Sequence, residues 1–126
     1  MNRSNQEFAA ILKQRTRKLS FNIIRLSASL KRTAESLAIR NQITRSGCSI
    51  GANYREANAS RSRADFRSKI KICFSEAEET IFWLEVIEDQ KWADDKVLKT
   101  LIKEVSELAA IFASIGVKLK PSTKKL

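Results

Sequence analysis

Leu98, Leu101, Val105, Leu108, Phe112, Ile115 and Leu119 recur at alternating spacings of three and four residues without a miss. This is a heptad seam, which obliges the segment to form an α-helix laying one apolar edge along other helices. Asp94 or Asp95, just ahead of it, offers a carboxylate that can cap the helix N-terminus. Three further segments follow the same periodicity. Residues 5 to 34 place Phe8, Leu12, Leu19, Ile23, Leu26 and Leu30 on one stripe, and residues 36 to 58 do the same with Ile39, Ile43, Ile50, Tyr54 and Ala57. After a short joint at residues 59 to 62, Ser62 and Asp65 resemble a capping box. Phe66, Ile70, Cys73, Ala77, Ile81, Leu84 and Ile87 then make a third stripe. One proline and three glycines leave little material for tight β-turns. The expected fold is all-α, an antiparallel up-down four-helix bundle. Residues 1 to 120 form its single domain and residues 121 to 126 a basic C-terminal tail.

Gly47 and Gly51 interrupt the second segment, and each glycine inside a helix costs about 1 kcal/mol relative to alanine. Close approach of a neighbouring helix is the natural compensation. The longest stretch without charge, residues 108 to 117, is far short of a membrane span. The first residues carry no leader pattern, so a cytoplasmic protein is expected. Cys48 and Cys73 lack metal spacing, which favours reduced thiols, although on neighbouring helices they could face each other.

Charge is uneven. The chain carries a formal +10, from 24 basic and 14 acidic residues. Residues 1 to 75 hold +12, residues 76 to 95 hold −7, and residues 96 to 126 hold +5. Seven cations and no acid fall between Phe8 and Ala34. A face meant only for solubility would intersperse both signs. Lys13, Arg17, Lys18, Arg25, Lys31 and Arg32 lie off the apolar stripe, whereas Arg15 sits on it. These six are the candidate phosphate contacts, working by counterion release with little base readout. Phe21 and Ile24 form a second, narrower apolar patch on the basic side, and Phe82 and Trp83 lie outside the third stripe. Such residues are wet in a monomer, so all four are candidates for an oligomer interface.

The chain has no histidine. That removes the usual general base, histidine-containing nucleophile triads and most zinc sites. Gly47 and Gly51 lack the Lys-Ser/Thr of a phosphate loop. Glu76 and Glu79 share a helix face, but ion pairing with arginines such as Arg55, Arg61 or Arg63 is the favoured reading. No enzyme, catalytic residue, metal or cofactor is expected.

The run "QITRSGCSIGANYREANASRSRADFRSKIKICFSEAEETIFWLEVI", residues 42 to 87, carries three linked motifs. They are Ser49-Ile50-Asn53-Tyr54-Glu56, Ser62-Asp65-Phe66, and Glu76-Glu79-Thr80-Trp83-Leu84. This pattern resembles the signature of the bacterial four-helix-bundle family of 23S rRNA intervening-sequence proteins. The resemblance is close over the second and third segments and holds only in pattern and length elsewhere. It implies a ring-like homo-oligomer, a pentamer, with no catalytic residue to carry over. The family is also similar to the accessory variability protein of diversity-generating retroelements, a basic pentamer associated with nucleic acid and a reverse transcriptase. Within the motifs, Asn53, Glu56, Asp65, Glu76 and Glu79 are expected to form a structural polar cluster with Arg55 or Arg61. The expected partners are other copies of the chain and nucleic acid, with structured RNA preferred through the family's genomic association. The competing reading is a scaffold that binds a reverse transcriptase or another protein through Phe21, Ile24, Phe82 and Trp83.

Overall fold

The computed structural model describes residues 3–121, so the expected basic tail falls almost wholly outside the described residues. Among the described residues four helices follow in order: α1 (Arg3–Ser29), α2 (Ala34–Asn58), α3 (Arg63–Gln90) and α4 (Asp95–Leu119). There is no strand among the described residues.

The helix ends are chemically marked. Asp94 caps α4, its carboxylate accepting from the Val97 amide at 3.2 Å. Ser62 caps α3 by accepting from the Asp65 amide at 3.0 Å. The expected return bond from Asp65 is absent among the described residues, so this cap is one-sided. The reciprocal box lies elsewhere. Thr33 Oγ1 accepts from the Ser36 amide at 3.1 Å, and Ser36 Oγ accepts from the Thr33 amide at 3.2 Å. Serine here does the job usually given to glutamate. This corrects the boundaries expected from periodicity: α1 ends at Ser29 and α2 begins at Ala34, because Thr33 is a stronger break than the apolar pattern reveals. At the end of α3, Lys91 takes the left-handed conformation (φ 58°, ψ 40°). The Trp92 amide then reaches back to the Ile87 carbonyl at 3.2 Å, closing the helix as a Schellman turn does.

The four apolar stripes meet in one core. Leu12, Leu19, Ile23, Ile43, Ile50, Tyr54, Ile70, Leu84, Leu98, Leu108 and Phe112 are buried in it, with Tyr54 and Phe112 rings 5.8 Å apart. Ile39, Phe66, Ile81 and Ile115 sit at its margin, half-buried. Phe8 does not join the core as its position on the first stripe suggests. It is 46% exposed, at the rim of an open cavity of about 680 Å³ between the first turns of α1 and the last turns of α2 and α4.

The glycines act as expected. A Cβ on Gly47 would lie 2.8 Å from Ile23 Cγ2, and one on Gly51 would lie 3.2 Å from Thr16 Oγ1. Ser20 Oγ also donates to the Gly47 carbonyl at 3.4 Å. Thus α1 presses directly onto the α2 backbone. In contrast α1 meets α4 only sparingly, while α3 lies along both α2 and α4. Among the described residues α1 and α3 do not approach each other, so they occupy opposite sides of the bundle. Along the α2–α3 seam, Ser46 meets Thr80, Ile50 meets Cys73 and Glu56 meets Lys69.

Candidate nucleic-acid interface

Cations divide by whether a carboxylate already holds them. Arg15, on the core stripe of α1, faces α4. Its Nε donates to Glu104 Oε2 at 2.9 Å and its Nη2 to Glu104 Oε1 at 2.6 Å, with a further bond to Glu107 at 3.2 Å. The fork is bidentate, and the Glu104 carboxylate holds the Arg15 guanidinium above its ordinary pKa. On α2, Arg45 donates to Glu79 and to Glu76 of α3. Glu79 is held below the usual carboxylate range, first by Arg45 and then by the indole N–H of Trp83, which donates to it at 3.0 Å. Lys69 pairs with Glu56 at 2.8 Å.

The six candidate phosphate contacts are placed differently. Arg17, Lys18, Arg25, Lys31 and Arg32 are exposed and Lys13 is half-buried. Among the described residues none of the six takes part in an ion pair. Arg25 instead lies 5.4 Å from the centroid of the Phe21 ring, a cation–π distance. All six lie on α1 or directly after it on the chain. Lys31 and Arg32 stand in the α1–α2 connection, and the chain turns tightly there because Ser36 Oγ donates to the Lys31 carbonyl.

The expected polar cluster is not one cluster. Glu76 and Glu79 share Arg45, Glu56 takes Lys69, the Asn53 amide donates to its own helix at Ser49 O (2.9 Å), and Asp65 stays exposed. Among the described residues Arg55 and Arg61, expected as partners, make no ion pair, and Arg63 donates to the Lys118 carbonyl at 3.4 Å. Arg45 was missed because its partners come from helix register across α2 and α3, which spacing along one segment does not fix. Arg55, Arg61, Arg63, Lys118 and Lys120 are all exposed. They gather around the α2–α3 connection and the last turn of α4, at the far end of α2 from Lys31 and Arg32. The expectation that Arg55, Arg61 or Arg63 pairs with Glu76 and Glu79 hides this second cationic group.

Of the four interface candidates, Phe21, Ile24 and Phe82 are exposed, at 57%, 49% and 54%. Trp83 is less exposed than expected. It is half-buried against the core and engaged through its indole with Glu79, with the Phe82 ring edge-on at 4.8 Å. Both cysteines are free thiols. Cys73 is buried, with Sγ 3.7 Å from the Ile50 carbonyl, and burial pushes its pKa up to about 12. Among the described residues, no cluster of acidic, cysteine or histidine side chains could hold a metal ion. No helix is long and apolar enough to cross a membrane.

No curated protein matches the chain. A crystal structure of a protein of unknown function from the S23 ribosomal protein family of Bacteroides thetaiotaomicron does match, at 33% identity and a TM-score of 0.77. The match covers 82% of this chain and 96% of that one. The family model described as 23S rRNA-intervening sequence protein matches residues 9–114, nearly the whole bundle. With the motifs of α2 and α3 and the four-helix architecture in place, the chain belongs to the 23S rRNA-intervening sequence protein family.

Proposed function

We propose that this protein is a non-enzymatic, homo-oligomeric accessory factor that binds the backbone of nucleic acid, structured RNA before DNA. The observation that carries this reading is the partition of its cations. Arg15, Arg45 and Lys69 are held by carboxylates, while Lys13, Arg17, Lys18, Arg25, Lys31 and Arg32 have no ion-pair partner among the described residues. Unpaired cations are the ones free to neutralise phosphates and release counterions. The unit is an antiparallel up-down bundle. This is supported by short connections and by a register in which α3 partner numbers fall as α2 numbers rise. It assembles as a ring, a pentamer by family resemblance, in the cytoplasm, where free thiols are at home. In that assembly modest charge per subunit adds up to avidity. By its resemblance to the retroelement accessory protein, such a factor would work beside a polymerase.

Filter binding of a structured RNA and a duplex DNA tests the reading. Retention at low salt, falling steeply as salt rises, is the expected result. No retention of either at low salt overturns it.

A further inference from the structure

Two exposed helix faces on opposite sides of the bundle each have an apolar centre and carry opposite charges. On α1, Phe21 and Ile24 stand exposed among Arg17, Lys18 and Arg25. These residues recur at helical spacing along the side facing away from the core. On α3, Phe82 stands exposed among Glu78, Glu85 and Asp89, which are exposed as well. The acids on the inner flanks of α3 are taken: Glu76 and Glu79 by Arg45, and Glu88 by Lys99 at 3.6 Å. Glu78, Glu85 and Asp89 have no ion-pair partner among the described residues. Each face thus has an apolar centre with uncompensated charge around it, positive on α1 and negative on α3.

Resting on the self-assembly reading above, we propose that the α1 face of one copy docks on the α3 face of the next. Phe21 and Ile24 pack there against Phe82, while Arg17, Lys18 and Arg25 face Glu78, Glu85 and Asp89. Charge complementarity selects the occupant. Two α1 faces would oppose like charges, as would two α3 faces, and like-charge juxtaposition suppresses a pairing. The contact is therefore heterologous, and because α1 and α3 do not touch within the bundle, each copy keeps one face free for the next. Such a contact propagates until the rotation closes it into a ring. A consequence follows for nucleic acid. Arg17, Lys18 and Arg25 are committed to the neighbouring subunit, leaving Lys13, Lys31 and Arg32 for phosphate.

Charge reversal tests the pairing, with particle mass read on nuclease-treated protein. Arg17→Glu with Arg25→Glu lowers the formal net charge from +10 by four, and Glu78→Lys with Glu85→Lys raises it by four. Both pairs are expected to weaken assembly by about tenfold or more, although they move net charge in opposite directions. The fourfold variant restores both the net charge and the complementarity, and it is expected to regain the parent mass. Helical circular dichroism of each variant shows that the bundle is intact. Should a reversed pair unfold, Arg17→Gln with Arg25→Gln replaces it and is expected to weaken assembly without loss of helix. The proposal is overturned if reversal on α3 leaves the mass unchanged, or if the fourfold variant stays dissociated. It is also overturned if the unmodified protein is a single subunit. Retention of RNA is measured separately on the same proteins, so a failed interface and a failed polyanion reading give different results.

Discussion

One methyl group added at Gly47 would be pushed into Ile23, with contacts of 2.8, 3.0 and 3.2 Å to three of its carbons. Ile23 is fully buried and β-branched, so its χ1 has little freedom to swing away. Overpacking of this kind costs about 1–3 kcal/mol, against a gain of about 1 kcal/mol from replacing a helical glycine. Gly47→Ala is therefore expected to lower stability, read as the urea midpoint at fixed protein concentration. Gly116 is the internal control. Nothing lies within 4 Å of the Cβ it would gain, so Gly116→Ala is expected to raise stability by up to about 1 kcal/mol. Cys73 supplies a pH dependence. Burial moves its thiol from an ordinary 9.0 to about 12, so between those values the folded chain binds the proton that the unfolded chain releases. Its contribution is complete below pH 9.0 and is lost as pH rises toward 12. Cys73→Ala is expected to flatten the alkaline fall of the urea midpoint over that range. In the folded protein below pH 9.0, alkylation at Cys73 is expected only after unfolding.

At the scale of helices, α1 is fastened asymmetrically. It is pressed onto α2 through Gly47 and Gly51, but on its other side the principal polar link is the Arg15 fork to Glu104 and Glu107 of α4. Partial exposure keeps that fork modest, so Arg15→Met is expected to cost roughly 1 kcal/mol at low salt and less at high salt. Urea unfolding at the two ionic strengths reads the difference. The helices themselves were legible because each buries a stripe whose period only an α-helix has. Less legible were the polar residues that complete those stripes. Thr16, Ser46 and Thr80 are fully buried, yet hydrophobic patterning passes over them. They are tolerated because each has a partner: Thr16 donates to the Leu12 carbonyl at 2.8 Å, Ser46 to Ile43, and Thr80 to Glu76 at 2.8 Å and to Ser46 at 2.9 Å. The Thr33–Ser36 cap was hidden for a similar reason, since a serine in the third position reads as an ordinary surface residue. Carboxylate partners were least legible. Glu76 and Glu79 meet Arg45, 31 and 34 residues away, at a height set by how α2 slides along α3.

For the whole molecule, the same cation count supports very different functions depending on how many charges are already spent inside it. A net charge of +10 gives no partition; the ion pairs do. Arg15 is a cation that the bundle itself consumes, and Lys31 and Arg32 are cations left exposed at one end. If binding is electrostatic, the logarithm of the affinity falls with the logarithm of salt by about 0.9 per neutralised phosphate on duplex DNA and about 0.7 on single strands. Lys31→Ala with Arg32→Ala is therefore expected to lessen that slope by about 1.8 on duplex and about 1.4 on single strands. Arg15→Gln removes one formal charge from the same half of the chain but no phosphate contact, so its slope should match that of the unmodified protein. Salt-dependent filter binding of the three proteins separates local contact from overall attraction. If all charge acted as one field, Arg15→Gln would shift the slope about half as far as the double variant does. A shift confined to Lys31 and Arg32 ties polyanion binding to the residues that the internal carboxylates leave unclaimed.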